Sequence, residues 1–143
     1  MGGYKMNSTL PENTRFIYSC EIPLRWGDMD AFGHINNTLY FRYFEEARFL
    51  LMEEKNIPST GDTHPVVVTI GCTFLRPLFH PDNIRVEIYI SEPGRSSFMM
   101  HYKLFSLSHS EAPSAEGYSK IVWVSRDTGK SVPLPDNVRV WFH

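Results

Sequence analysis

The chain has 143 residues, a common length for one domain and too short for two substantial ones. Its composition, with 42% hydrophobic and 21% charged residues, is that of a globular protein and excludes a disordered or fibrous chain. Fourteen Lys and Arg against sixteen Asp and Glu give a formal charge of −2, so no overall basic field exists to attract nucleic acid. We therefore expect a single domain over residues 1–143 that has no nucleic-acid partner.

The N-terminal residues and the two cysteines predict where the protein is found. Residues 1–14 lack the long apolar run of a signal peptide, and no other stretch is long enough to span a membrane. Cys20 and Cys72 lie far apart and form no CxxC pair, which favours reduced thiols that fill the core. The sequence thus predicts a cytoplasmic protein with no membrane partner and with a mobile N-terminal segment over residues 1–14.

The first predicted elements are a strand, a loop and one long helix. Residues 15–26 are rich in aromatic and branched side chains and predict an edge or terminal strand. A polar loop follows over 27–37, and a residue within 36–38 can cap the next helix. The helix ends ahead of Pro58, because the residue before a proline is disfavoured in helical geometry. Its core-facing residues on helical spacing are Tyr40, Tyr43, Phe44, Ala47, Leu50, Leu51 and Glu54.

The rest of the chain predicts four more strands. Residues 66–75 form a nearly continuous branched run, as expected of a strand that is covered on both faces. Residues 84–90 and 97–107 alternate in polarity on either side of a Pro-Gly turn, which indicates a hairpin. A last strand over 118–125 ends at a turn with a left-handed glycine, and apolar residues within 138–142 predict a docked tail. Such a sheet cannot leave its apolar face in water, and the single helix is its simplest cover.

Two carboxylates and an imidazole lie in the loop just before the predicted helix: Asp28, Asp30 and His34. The first turn of a helix has unpaired N–H groups and a partial positive charge, which can stabilise an oxyanion that forms on a carbonyl under attack. A nearby carboxylate can attack such a carbonyl or activate a water to do so. Spacing alone, however, favours a plain turn and helix cap.

Other chemistries fit this loop poorly. Asp28, Asp30 and Gly33 match positions one, three and six of a calcium-binding EF-hand loop. The match fails further on, because Phe32 and Leu39 stand where ligands are required. No second histidine has the spacing that a transition-metal site needs, and the chain lacks the GxSxG elbow, a Gly-rich phosphate loop and a protease-type Cys and His signature. The sequence therefore predicts no metal and no cofactor.

The segment RWGDMDAFGHINNTLY, residues 25–40, resembles the signature of the 4-hydroxybenzoyl-CoA thioesterase family, and FRYFEEAR, residues 41–48, is typical of the same family. The resemblance implies an α+β hotdog fold, in which one long central helix is wrapped by a curved antiparallel sheet of about five strands. It also implies a homodimer or homotetramer, in which subunits join their sheets edge to edge and form active sites at the interface. The implied activity is hydrolysis of an acyl-CoA thioester, or of an acyl-carrier-protein thioester, to free acid and thiol.

The same resemblance implies roles for residues of the loop. Asp30 stands at the position of the catalytic carboxylate, and the backbone N–H of Asn37 at that of the donor that polarises the thioester carbonyl. Gly33 lets the chain fold back tightly between them. Asp30 can attack the thioester or act as general base for water, and we favour the base because that route requires less of the pocket. His34 either orients the loop or a water, or is a hydrogen-bonded loop residue, and Asp28 is expected to be a structural partner of the loop.

The acyl pocket is expected between the helix and the strand residues 67–74. Besides Gly33, the candidate substrate-binding residues are Tyr40, Tyr43, Phe44, Phe74 and Arg76, of which Arg76 would bind CoA phosphates, as would Arg85, Arg95 or Lys120. The many aromatic residues fit a medium or long acyl chain or an aromatic acyl group equally well. The alternative function is a non-catalytic module of the same fold that binds acyl thioesters. A hydratase is disfavoured, because its His-containing helix motif is absent from the sequence.

Overall fold

A computed structural model describes residues 10–143 of the chain. The elements in chain order are β1 (Arg15–Pro23), α1 (Tyr40–Glu54), β2 (Thr63–Phe74), β3 (Asn83–Ser91), β4 (Ser97–Ser106), β5 (Ala115–Ser125) and α2 (Asp136–Arg139), with 3-10 turns at Trp26–Asp28, Asn37–Leu39 and Val140–Phe142. The segment predicted to be mobile, residues 1–14, lies mostly outside the described residues. Within 10–143 no helix is long and apolar enough to cross a membrane.

The five strands form one antiparallel sheet in the order β1-β3-β4-β5-β2. This is the predicted α+β hotdog architecture, a curved five-stranded sheet with one long helix. β1 lies at one edge, as its composition indicated, and β3 and β4 form the predicted hairpin. Because α1 follows directly on the loop after β1, that loop lies where the N-terminal end of the helix meets the sheet.

The core lies between α1 and the inner face of the sheet. On β3 the side chains alternate as predicted, with the apolar set Ile84, Val86, Ile88 and Ile90 each 0% exposed. The apolar side of α1 is buried against them, and Phe44 stacks on Tyr102 with ring centroids 4.6 Å apart. A Cβ on Gly117 would lie 2.6 Å from Cε2 of Phe44, so the glycine allows the helix to approach β5 closely.

The prediction that the branched run over 66–75 is covered on both faces was wrong. Among residues 10–143, β2 is an edge strand that pairs only with β5, and Val67, Val68 and Ile70 are 38%, 55% and 47% exposed. Branched residues suit a pleated surface whether another strand or another molecule covers it, so composition could not tell a central strand from an apolar edge. The strand also begins earlier than predicted, at Thr63.

The C-terminal third differs from the prediction in one boundary. β5 begins at Ala115, three residues before the predicted start, because Ala115, Glu116 and Gly117 pair with β4 and are buried there. Their small or charged side chains are typical of a loop, but pairing with β4 makes this segment part of the strand. The predicted docking of the tail is confirmed, since Val138 and Trp141 are buried.

Candidate active site

The loop between β1 and α1 is a narrow hairpin. The Asn36 N–H donates to the Asp28 carbonyl at 3.0 Å, and the Asp30 N–H donates to the His34 carbonyl at 2.7 Å. The Gly33 N–H closes the tip on the Asp30 carbonyl at 3.0 Å, with φ of +82° at Gly33. Glycine adopts this left-handed conformation without steric cost. The tight reversal that was predicted at Gly33 is therefore present.

The Asp30 carboxylate is held through one of its two oxygens. Oδ1 accepts hydrogen bonds from the N–H groups of Phe32 at 2.9 Å and His34 at 3.3 Å, and the side chain is half-buried. Oδ2 makes no hydrogen bond with any residue in the described part of the chain. The residue thus has the local turn bonds that spacing alone suggested, and it also presents one oxygen that is available for chemistry.

The start of the helix has a free donor next to this hairpin. The Asn36 side chain caps a 3-10 turn, since its Oδ1 accepts from the N–H of Thr38 at 2.9 Å and from the Thr38 hydroxyl at 2.6 Å. The turn runs directly into α1 at Tyr40. The Asn37 N–H makes no hydrogen bond within residues 10–143, as expected for the first position of such a turn. A donor with positive partial charge is therefore exposed at the predicted residue.

His34 contributes to the hairpin mainly through its backbone. Its N–H and carbonyl bond to Asp30, and its ring packs edge to face against Phe79, with centroids 4.9 Å apart and planes at 86°. No hydrogen bond of the ring nitrogens to another described residue is present. Packing of the ring stabilises the tip of the loop, while the predicted action on a water stays a prediction.

Asp28 links the loop to the helix. Its Oδ2 accepts from the Tyr43 hydroxyl at 2.7 Å and from Nε of Arg25 at 3.1 Å. The Arg25 guanidinium lies 4.7 Å from the Tyr43 ring centroid and pairs with Glu46 at 3.1 Å. Burial and then the hydrogen bond to Asp28 raise the pKa of Tyr43 to about 12, so the hydroxyl is protonated and donates throughout the neutral range. These are the contacts expected of a structural partner.

The predicted acyl-pocket residues of α1 are buried within the subunit. Tyr40, Tyr43 and Phe44 are 1%, 0% and 2% exposed. Phe74 of β2 is 39% exposed and meets Tyr40 edge to face, with centroids 4.9 Å apart. Of these four side chains, only Phe74 has substantial surface that a ligand could contact in the single chain.

The guanidinium of Arg76, a candidate for the CoA phosphates, is already engaged. It pairs with Glu111 at 2.7 Å and donates to the carbonyls of His109, at 2.9 Å, and Ala112. These contacts fix the loop between β4 and β5, and a phosphate would have to compete with them. The other candidates lie on β3, in the β3–β4 turn and on β5: Arg85, Arg95 and Lys120.

Three exposed aromatic side chains lie in the loop or contact it, and they were not predicted. Trp26 is 72% exposed, Phe32 at the hairpin tip is 86% exposed, and Phe79 is 51% exposed. Exposed aromatic rings of this kind can stack on a bound ligand or pack against a second subunit. Aromatic residues in an otherwise polar loop were the sequence signal, which helical and strand periodicity does not register.

Two adjoining cavities lie along α1 and the start of β2, with volumes of about 390 and 340 Å³. Both are lined by Phe49, Met52 and Pro65. Asp30 does not line either cavity within the single chain. No group of three or more His, Cys, Asp or Glu suited to holding a metal ion occurs among residues 10–143.

Similar sequences and structures place these features in context. A family model described as the thioesterase-like superfamily matches residues 24–142. YsmA of Bacillus subtilis (strain 168), described as uncharacterized, is 32% identical over 124 residues, which are 86% of this chain and 83% of YsmA. A 1,4-dihydroxy-2-naphthoyl-CoA hydrolase of Microcystis aeruginosa (strain NIES-843 / IAM M-2473) is 25% identical over 114 residues, or 77% of this chain and 78% of the hydrolase.

A solved structure resembles the whole fold. The PA2801 protein of Pseudomonas aeruginosa, whose structure was solved as that of a candidate thioesterase, superposes with a TM-score of 0.87. The two chains are 38% identical, and the match covers 90% of this chain and 100% of that one.

Proposed function

The chain belongs to the thioesterase-like superfamily, and on that premise we propose that it hydrolyses an acyl-CoA thioester with Asp30 as the reacting carboxylate. Water adds to the thioester carbonyl carbon, the C–S bond breaks, and free acid and CoA thiol leave. The Asn37 N–H stabilises the oxyanion of the tetrahedral intermediate. No metal and no organic cofactor takes part.

The proposal rests on the different environments of the two oxygens of the Asp30 carboxylate. Two backbone N–H groups hold Oδ1, so the orientation of the group is set before substrate arrives. Oδ2, which has no partner among the residues that the structure describes, can accept a proton from water, as a general base must. Attack by Oδ2 on the thioester carbon, with a mixed anhydride as intermediate, is the alternative use of the same oxygen.

The acyl group is the finer part of the proposal. The sequence resemblance over residues 25–48 supports the 4-hydroxybenzoyl-CoA thioesterase family, and one relative is a 1,4-dihydroxy-2-naphthoyl-CoA hydrolase. Both substrates carry an aromatic acyl group, which can stack on exposed aromatic side chains of the kind found around the loop. Aromatic acyl-CoA esters are therefore the first substrates to test, followed by medium and long acyl chains and acyl-carrier-protein esters.

We expect the working form to be a homodimer or homotetramer joined through β2. On one side this strand has no pairing partner in the described part of the chain, and its Val67, Val68 and Ile70 are exposed. An apolar edge of this kind favours pairing with a second copy. Sedimentation of the purified chain is expected to give a dimer or tetramer, and a monomer at micromolar concentration would contradict the expectation. The cytoplasmic location stays a prediction from the sequence.

The test of the function is release of CoA from a panel of aromatic, short and long acyl-CoA esters. Asp30→Asn keeps an oxygen that can accept from Phe32 and His34 but removes the basic carboxylate. We expect kcat to fall about 10²–10⁴-fold while the fold is retained. Asp127→Asn, in the exposed turn after β5, is the matched control and should leave kcat unchanged.

The outcomes separate catalysis from binding. A wild type that turns over no ester of the panel, or an Asp30→Asn variant that keeps full kcat, would sink the proposal. Saturable binding of acyl-CoA without hydrolysis, unaffected by Asp30→Asn, would instead support the non-catalytic binding module.

A further inference from the structure

Tyr43 makes hydrogen bonds to the loop that packing in the core does not require. It lies in the first turn of α1 and is 0% exposed, so it cannot touch a substrate. Its hydroxyl donates to Oδ2 of Asp28 at 2.7 Å and accepts from the N–H of Arg25 at 3.2 Å. One buried hydroxyl therefore joins the helix to the chain entering the loop.

Asp28 links the helix to both strands of the hairpin. Its side chain is bound to the helix through Tyr43, and its carbonyl accepts the N–H of Asn36 at 3.0 Å. Asn36 directly precedes Asn37, and Asp30 follows Asp28 by two residues. Because the Asn37 N–H lies at the helix start itself, a shift of Asp28 is expected to move Asp30 relative to that donor.

Arg25 contacts both Tyr43 and Asp28 from the solvent side. Its guanidinium covers the Tyr43 ring, binds Oδ2 of Asp28 at 3.1 Å and pairs with Glu46 one turn further along α1 at 3.1 Å. The Asp28 side chain is 19% exposed, against 44% for Arg25. The carboxylate thus accepts two hydrogen bonds, from the Tyr43 hydroxyl and from Arg25, in a partly shielded site, where such bonds are stronger than at the surface.

We propose that Tyr43 is a positioning residue of the active site, whose hydroxyl acts through Asp28 to fix the Asp30 carboxylate relative to the helix start, where the Asn37 N–H lies. The inference rests on the proposed function. Misplacement of reacting groups by about 1 Å can cost a factor on the order of 100 in rate. Loss of this one hydroxyl is therefore expected to lower kcat although it touches no substrate.

Tyr43→Phe is the first variant, because it removes only the hydroxyl and keeps the ring. We expect kcat to fall about tenfold or more with KM changed by less than about twofold, since substrate contacts are intact. Tyr89→Phe is the matched control: its hydroxyl also donates to a carboxylate, Glu87 Oε1 at 2.8 Å, but on the outer face of the sheet. Both substitutions should lower the urea midpoint of unfolding to a similar extent, and only Tyr43→Phe should lower kcat.

Two further variants test the route through Asp28 and Asp30. Asp28→Asn keeps an acceptor for the Tyr43 hydroxyl and should retain more kcat than Asp28→Ala. In an Asp30→Asn background, Tyr43→Phe should cause no further loss of the residual rate, because the group that it positions is gone. If the role of Tyr43 were purely structural, Tyr43→Phe would lower the rate by the same factor in the wild-type and Asp30→Asn backgrounds.

The outcomes distinguish this inference from the function on which it rests. If the wild type hydrolyses an acyl-CoA and Asp30→Asn abolishes this, while Tyr43→Phe keeps kcat within about twofold, the positioning role is overturned and the function stands. If the wild type hydrolyses no ester of the panel, both are overturned.

Discussion

The inner face of the sheet and the hairpin before α1 are held in place by different forces. On β3 the inward side chains are 0% exposed, and the strand is bound on both sides by backbone ladders. In the hairpin, the positions of Asp28 and Asp30 depend on directional bonds to single atoms, in a segment that is half-exposed. Apolar burial is additive and tolerant of similar side chains, whereas directional bonds require one residue type at one position.

Because different forces hold the two regions, stability and activity are expected to depend on different residues. Burial in the sheet supplies the free energy of folding and is spread over many side chains. In the proposed mechanism the hairpin orients the reacting groups, and its hydrogen bonds converge on a few atoms. Substitutions in the sheet should therefore change the free energy of unfolding and leave kcat intact, while substitutions in the hairpin should do the reverse.

The largest effect on stability is expected at the centre of the sheet. Ile88→Ala removes a fully buried side chain that packs beneath α1, and we expect the free energy of unfolding to fall by about 2–5 kcal/mol. The kcat of the folded fraction should stay within about twofold of the wild type. Urea unfolding and the CoA-release assay measure the two quantities, and a large loss of kcat in fully folded Ile88→Ala would break the comparison.

A smaller effect on stability and a larger one on activity are expected at the hairpin tip. A Cβ on Gly33 would meet nothing within 4 Å, so Gly33→Ala costs only backbone strain at φ of +82°, about 1–2 kcal/mol. Because relief of that strain rotates the turn that holds Asp30, we expect kcat to fall about tenfold or more.

Gly129→Ala is the control for that prediction. Gly129 has φ of +70° and equally open surroundings, in the turn after β5. The two variants should lose similar stability, and only Gly33→Ala should lose kcat. Equal kcat values for the two variants would show that the shape of the tip is unimportant for catalysis.

The smallest effect on the folded subunit is expected at the β2 edge. Val68 is 55% exposed and is the extra residue at an irregularity in the pairing with β5. Val68→Lys should change the free energy of unfolding of the subunit by no more than about 0.5 kcal/mol. A charged side chain on an edge opposes pairing with a second strand, so we expect the variant to sediment as a smaller species. A variant that associates like the wild type would place the interface elsewhere.

Much of the fold could be predicted from local pattern. The alternation over residues 84–90 and the helical spacing of Tyr40, Phe44 and Ala47 report which side of an element is buried, and the structure confirms both. The left-handed turn at Gly129 followed from its residue types alone. The position of β2 at the edge of the sheet could not be predicted in this way. Its branched residues indicate a surface that is covered, but they do not indicate whether another strand or another molecule covers it.

For the candidate site, the sequence by itself determined which residue types stand in the hairpin: a carboxylate, a glycine turn and the unpaired donors of a helix start. The tertiary structure alone decided which contacts the side chains in and around the hairpin make. It buried Tyr43 on Asp28, turned Arg76 toward its own neighbouring loop, and left one oxygen of Asp30 without a partner among residues 10–143. The physical reason is range: a turn and a helix cap are set by bonds among neighbouring residues, whereas the partner of a side chain is set by packing between segments far apart in the chain.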